Sequence, residues 1–142
     1  MSEFKLHLAI KKHYDSCFIG SHNPSLKIVH IANEQRDSTQ GYFNKMLGVE
    51  KGFADLLAAW PQNVGIAEVK LPKGKLTNDQ NRFLSWARHI GWHTGIFRSV
   101  HDAHMGFRQW GLVPSRLYHP SEEPDYASKD EKLRRGEAFF AP

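Results

Sequence analysis

One cysteine in 142 residues, Cys17, leaves no partner for an intramolecular disulfide and nothing from which to build a Cys-rich zinc site. Such a chain suits a reducing compartment. Long apolar runs are missing as well: none approaches the roughly 20 residues that a bilayer-spanning helix needs. The opening Met1-Ser2-Glu3-Phe4-Lys5 lacks the basic-then-apolar order of a secretory signal. The expectation is a soluble cytoplasmic protein with no membrane partner. There is no internal repeat and no low-complexity tract. Histidine is abundant, nine in all, but no pair has the H-E-x-x-H spacing of a zinc enzyme. His7 stands four residues after Glu3, and His101 and His104 are three apart; a zinc site is not expected from these spacings.

What is present is enough for one domain and too short for two ordinary ones. Hydrophobic residues make up 40% and aromatics 12%, so a real core can be buried. The formal net charge is +4 and the pI about 9.3, which favours a polyanionic partner.

The chain divides by its patterning. Ser2 to about Tyr14 reads as a helix, with Ser2 as its N-cap. Lys27-Ile28-Val29-His30-Ile31 is a short β-branched run. A polar, glycine-punctuated stretch from Ala32 to Gly52 follows, with one helical turn expected near Tyr42–Leu47. Ala54 to Trp60 and Gly65 to Lys70 read as two strands joined by a turn at Pro61-Gln62-Asn63. Thr77-Asn78-Asp79-Gln80 carries the S/T-x-x-E/Q capping-box pattern. Phe83, Leu84, Ala87 and Ile90 then line one helical face until Gly91. His93 to Arg98 reads as a strand, and Val100 to Trp110 as an amphipathic helix. Residues 1–119 are expected to form the domain and 120–142 a charged, solvated tail ending in Phe139-Phe140.

Two acids stand out because they interrupt apolar strands. A carboxylate in such a place is costly unless it is paired or ligates a cation. If the strands of Asp55 and Glu68 are neighbours in a hairpin, both carboxylates meet on one side. Hard oxygens placed so are what Mg²⁺ prefers. Lys70 is two residues past Glu68 and so shares its face. There it can orient a water or neutralise charge on a phosphorane-like transition state. The ordinary alternative is a cross-pleat ion pair on an exposed strand, and Glu-Val-Lys alone does not decide between them.

The longer string is more specific. Gly48-Val49-Glu50-Lys51-Gly52-Phe53-Ala54-Asp55-Leu56 is followed by Ile66-Ala67-Glu68-Val69-Lys70-Leu71-Pro72-Lys73-Gly74-Lys75-Leu76-Thr77-Asn78-Asp79-Gln80, and later by Ile90-Gly91-Trp92-His93-Thr94-Gly95-Ile96-Phe97-Arg98-Ser99. Together, over about Ile31 to Asp102, these resemble the VRR-NUC branch of the PD-(D/E)XK nucleases. One departure is Ala54, where that family has proline before the aspartate. The resemblance implies an α/β, restriction-endonuclease-like three-layer domain, with a central mixed sheet flanked by helices. It implies Asp55, Glu68, Lys70 and Gln80 as catalytic residues, with Mg²⁺ (or Mn²⁺) held by Asp55, Glu68, the Val69 backbone carbonyl and Glu3. Lys70 would be the catalytic lysine. Stand-alone relatives of this length are typically encoded by bacteriophages and prophages, and resemble junction resolvases in preferring branched DNA and in acting as homodimers. The expected activity is therefore Mg²⁺-dependent endonucleolytic hydrolysis of DNA, in a bacterial host cell.

Alternatives stay open at several positions. Gln80 also fits the reciprocal partner of Thr77 in the capping box. Glu3 also fits a first-turn acid favoured by the helix dipole. Lys73, Lys75 and Arg36 are candidate phosphate contacts in polar loops, though each taken singly reads as a solvated charge. His30 precedes the acidic strands and could approach the site. The four tryptophans read as core or rim packing rather than base-stacking platforms. A non-catalytic nucleic-acid-binding module on the same scaffold and a ribonuclease are the two competing functions.

Overall fold

A computed structural model describes residues 2–31, 46–48, 52–127 and 129–136. The chain forms a mixed α/β structure around a four-stranded sheet. In chain order its elements are α1 (Ser2–Cys17), β1 (Lys27–His30), β2 (Leu56–Trp60), β3 (Asn63–Val69), α2 (Asn78–His89), β4 (His93–Phe97), α3 (Val100–Gln109), a 3₁₀ turn (Pro120–Glu122) and α4 (Lys129–Arg134). The strands lie in the order β1-β2-β3-β4. The first three run antiparallel, and β4 pairs parallel to β3. That reversal follows from the connections: two residues suffice between β2 and β3, whereas a parallel neighbour needs the α2 crossover.

The β2–β3 turn is built by Pro61, whose ring presets φ, and Gln62, at φ 62°. Those are the places that proline and a positive-φ residue occupy in a type II turn. The resulting register pairs Leu56 with Ala67 and Trp60 with Asn63.

Side-chain alternation then sorts the sheet into two faces. Leu56, Ala58, Ala67, Val69 and Phe97 join Leu6, Ile10 and Tyr14 of α1 and Val100, Ala103 and Phe107 of α3 in one buried cluster. Gly65 belongs to this face. A Cβ there would stand 2.5 Å from Cζ3 of Trp110, so only glycine lets the indole lie against β3. On the other face Ile66 and Ala54 pack with Phe83, Leu84 and Ala87 of α2. Helices thus cover both faces, an arrangement compatible with three layers.

Most sequence expectations agree with these elements, and the differences are local. The first helix continues past Tyr14 to Cys17 and already includes Ser2, which places Ser2 within the first turn rather than ahead of it. The strand expected over Ala54–Trp60 begins only at Leu56, since Asp55 is spent on a bond to another strand. The helical turn expected at Tyr42–Leu47 lies almost wholly outside the described residues, as do Arg36, Phe139 and Phe140. The stretch from Pro120, expected to be solvated, is tied to the body at its start. Glu123 accepts hydrogen bonds from the Val100 and His101 amides (2.8 and 3.0 Å), completing the N-terminus of α3 beside its Ser99 cap. Glu122 accepts from Arg116 and contacts His13 on α1. No helix among the described residues is long and apolar enough to cross a membrane.

Candidate active site

The register that buries the apolar face also places the two acids. Leu56 opposes Ala67, so one step further Asp55 stands across from Glu68. Directly opposed residues share a face with Cβ atoms about 5 Å apart. Asp55 is held at that point by backbone bonds: its carbonyl accepts from Ile31 N (2.7 Å) and its Oδ2 accepts from Val69 N (2.8 Å). The bond to Oδ2 brings Val69, named from the sequence for its carbonyl, against the acid through its amide.

Glu68 is only 2% exposed. It lies on the α2 face with Ile66, and one of its oxygens is met by α2. Gln80 Nε2 donates to Glu68 Oε1 (3.0 Å). Its own Oε1 accepts from Thr77 N (2.9 Å), and Thr77 Oγ1 accepts from Gln80 N (3.1 Å). The capping-box reading of Gln80 therefore holds, and the same side chain also reaches Glu68. One amide closes the capping box with its oxygen and steadies the buried acid with its nitrogen.

Glu68 Oε2 is buried and receives no donor among the described residues. Its neighbour is the Asp55 carboxylate, an acceptor too, and two acceptors can share a contact only around a proton or a cation. Burial pushes the Glu68 carboxyl up to about 9, the hydrogen bond and negative charge of Asp55 push the same way, and Glu3 adds to them. Lys70 opposes the rise. Glu3, on the first turn of α1, and Lys70, just past β3, are thus both within electrostatic reach of Glu68. Glu3 is also 3.7 Å from His7 Nε2 and is 46% exposed. His7 packs edge-on against His30, with ring centroids 4.9 Å apart, so His30 borders this region through His7.

Asp55 and Glu68 border a cleft of about 520 Å³, lined also by Phe53 and the first turn of α2 from Thr77 to Arg82. Gly52 brings the Asp55 loop against that turn. It has φ 82°, and a Cβ on it would fall 2.5 Å from the Asp79 carbonyl carbon. Lys73 and Lys75 lie exposed on the loop between β3 and α2. Its shape is held by Arg98, a residue whose role sequence reasoning missed. Arg98 Nη1 donates to the carbonyls of Leu71 (2.9 Å) and Gly74 (2.6 Å). The only sequence signal for this was an arginine at the end of a predicted strand.

A second group of reactive side chains was not foreseen at all. His13 and Cys17 on α1 meet His104 on α3, with all three buried. They are close only because α1 packs on α3 across 87 to 91 residues of sequence.

Comparison of the chain with models of protein families, with curated proteins and with solved structures found no match.

Proposed function

We propose that this chain is a metal-dependent nuclease of the PD-(D/E)XK kind, with a restriction-endonuclease-like arrangement of its sheet and helices. The observation that carries the reading is the buried Glu68 Oε2, which no donor among the described residues reaches, set against the Asp55 carboxylate with Lys70 within electrostatic reach. Two such carboxylates fit a hard divalent cation, because a cation removes the repulsion that burial magnifies. Asp55, Glu68 and the Val69 carbonyl would hold Mg²⁺ or Mn²⁺, with Glu3 close enough to contribute through water. A bound Mg²⁺ supplies Lewis acidity toward a phosphate oxygen and makes a coordinated water more acidic.

The protein's own residues do the rest. Lys70 places a positive charge where a water attacks and where negative charge accumulates on the phosphate. Gln80 holds the Glu68 carboxylate by its Oε1, and Asp55 is fixed by the Val69 amide. Lys73 and Lys75 stand on the loop leading from β3 to α2, in position to meet flanking phosphates. DNA is the proposed substrate, supported by the net charge of +4 and by the family resemblance of the motif. Branched DNA and a symmetric homodimer follow from the same resemblance, since cutting two symmetric strands needs two sites.

The experiment is cleavage of labelled linear duplex, single-stranded, flap and four-way-junction DNA, with a single-stranded RNA alongside, in Mg²⁺, Mn²⁺ or EDTA. The expected result is metal-dependent cutting, fastest on branched DNA, that falls at least about 100-fold in Lys70→Ala. Cutting of RNA alone would make the protein a ribonuclease. Binding by wild type and Lys70→Ala alike, with no cutting of any substrate, would leave a binding module.

A further inference from the structure

We propose that His13, Cys17 and His104 form a site for one Zn²⁺ ion that ties α1 to α3, separate from the acidic cleft and independent of the nuclease reading. The three donor atoms lie within 4.8 Å of one another. His13 Nε2 is 2.9 Å from His104 Nδ1, and Cys17 Sγ is 3.9 Å from the same nitrogen. A tetrahedral zinc with ordinary Zn–N and Zn–S bonds spaces its ligand atoms roughly 3.3–3.7 Å apart. The observed separations bracket that range, so small side-chain rotations would admit the ion. His13 and Cys17 are four residues apart and share one face of α1.

The surroundings match a metal site in a second way. His13 Nδ1 is 2.7 Å from Glu122 Oε1, and Arg116 holds that carboxylate from its other side with two bonds, Nη2 to Oε1 (2.7 Å) and Nη1 to Oε2 (3.2 Å). A carboxylate kept ionised by an arginine places the proton of His13 on Nδ1. The Nε2 lone pair then points inward, toward His104 and Cys17. Metal-bound histidines commonly have this carboxylate behind them, because it sets the tautomer and strengthens the donor.

The donor set also selects the ion. Two imidazoles and a thiolate suit zinc and do not suit Mg²⁺ or Ca²⁺, which take hard oxygens. Binding requires the thiolate, so the Cys17 thiol proton leaves to solvent. In the metal-free protein His104 Nδ1–H donates to His13 Nε2. On binding that proton moves to His104 Nε2, freeing Nδ1. One proton is therefore released per ion. The three protein ligands leave a fourth position, and the Arg116 carbonyl, 3.3 Å from Cys17 Sγ, is the oxygen beside it.

The test uses the full chain, stripped with a chelator and titrated with Zn²⁺ or Co²⁺. One equivalent of Zn²⁺ is expected, with a rise in melting temperature. With Co²⁺ a near-ultraviolet thiolate-to-cobalt band and intense visible bands of a tetrahedral ion are expected. Both bands vanish in Cys17→Ala, a mild change at a buried position, and Glu122→Gln weakens binding about 10- to 100-fold. Glu68→Gln, which removes the oxygen site, leaves the zinc stoichiometry and the cobalt bands unchanged. Absence of the thiolate band in wild type would overturn the proposal. So would Zn²⁺ affinity unchanged in Cys17→Ala and His104→Ala. In either case Glu122, His13 and His104 form a hydrogen-bonded chain only. Zinc lost with Glu68→Gln would overturn it too, by placing the ion in the acidic cleft.

Discussion

Glu68 is the residue on which stability and the proposed activity oppose each other. Its carboxyl is raised to about 9 by burial and by Asp55, so the metal-free protein favours the protonated form. An acid raised in the folded state contributes its stability below its unfolded value, and that contribution is lost as pH rises from about 4.5 through 9. Glu68→Gln keeps the shape and removes the titration. In EDTA at pH 8 it is expected to melt higher than wild type, by on the order of 1 kcal/mol or about 2–4 °C. The rise in melting temperature that Mg²⁺ gives wild type should disappear in the same variant. A thermal melt with and without Mg²⁺ reads both, and a destabilised Glu68→Gln in EDTA would refute the account. Gln80 offers a second residue-scale test, because its two roles separate. Thr77→Ala removes a cap alone, at about 1 kcal/mol. Gln80→Ala removes the reciprocal cap bond and the donor to Glu68, and should lower cleavage at least tenfold where Thr77→Ala leaves it near wild type. Equal rates in the two variants would reduce Gln80 to a cap.

At the scale of elements, the site is an outcome of strand register. The two-residue turn at Pro61 and Gln62 sets Leu56 against Ala67, and the acids come opposite each other one step beyond. A slip of one residue would turn Glu68 to the α1–α3 face, among Val69 and Phe97. The loop that carries Asp55 depends in turn on Gly52. Gly52→Ala meets both a positive φ and the backbone of Asp79, neither of which yields as a flexible side chain would. We expect a loss of more than about 1 kcal/mol in chemical denaturation and a parallel weakening of Mg²⁺ binding. An alanine variant with unchanged denaturation midpoint and metal affinity would show that the loop is not held as described.

Across the whole molecule, the segment after α3 acts as a strap. Glu123 closes the N-terminus of α3, and Glu122 joins Arg116 to His13 on α1. Hydrogen bonding from Arg116, and then from His13, holds the Glu122 carboxyl down to about 2. A depressed acid contributes stability above its unfolded pKa and loses it as pH falls through the folded one. The chelated protein should therefore lose stability between about pH 4.5 and 2 more steeply than Glu122→Gln does. Melting curves across that range decide it, and parallel curves for the two proteins would mean that the strap contributes little.

How far each of these scales was legible in the sequence depends on the range of the forces involved. Capping, alternation and turn chemistry act over a few residues. The α2 cap at Thr77 and the strand pair around Pro61 could therefore be read from the chain. The start of β2 could not, because Asp55 gives its carboxylate to Val69, fourteen residues on. Nor could the double use of Gln80 be resolved, since one amide serves a local cap and a distant acid at once. The attachment of Glu122 and Glu123 was hidden because both look like solvated charges until α1 and α3 present an imidazole and free amides to them. In the cluster of His13, Cys17 and His104, the first two are four residues apart on one helix, but nothing in the sequence ties them to His104, 87 to 91 residues on. The cluster exists because the apolar faces of two helices pack together, and that was decided only when the whole core was buried.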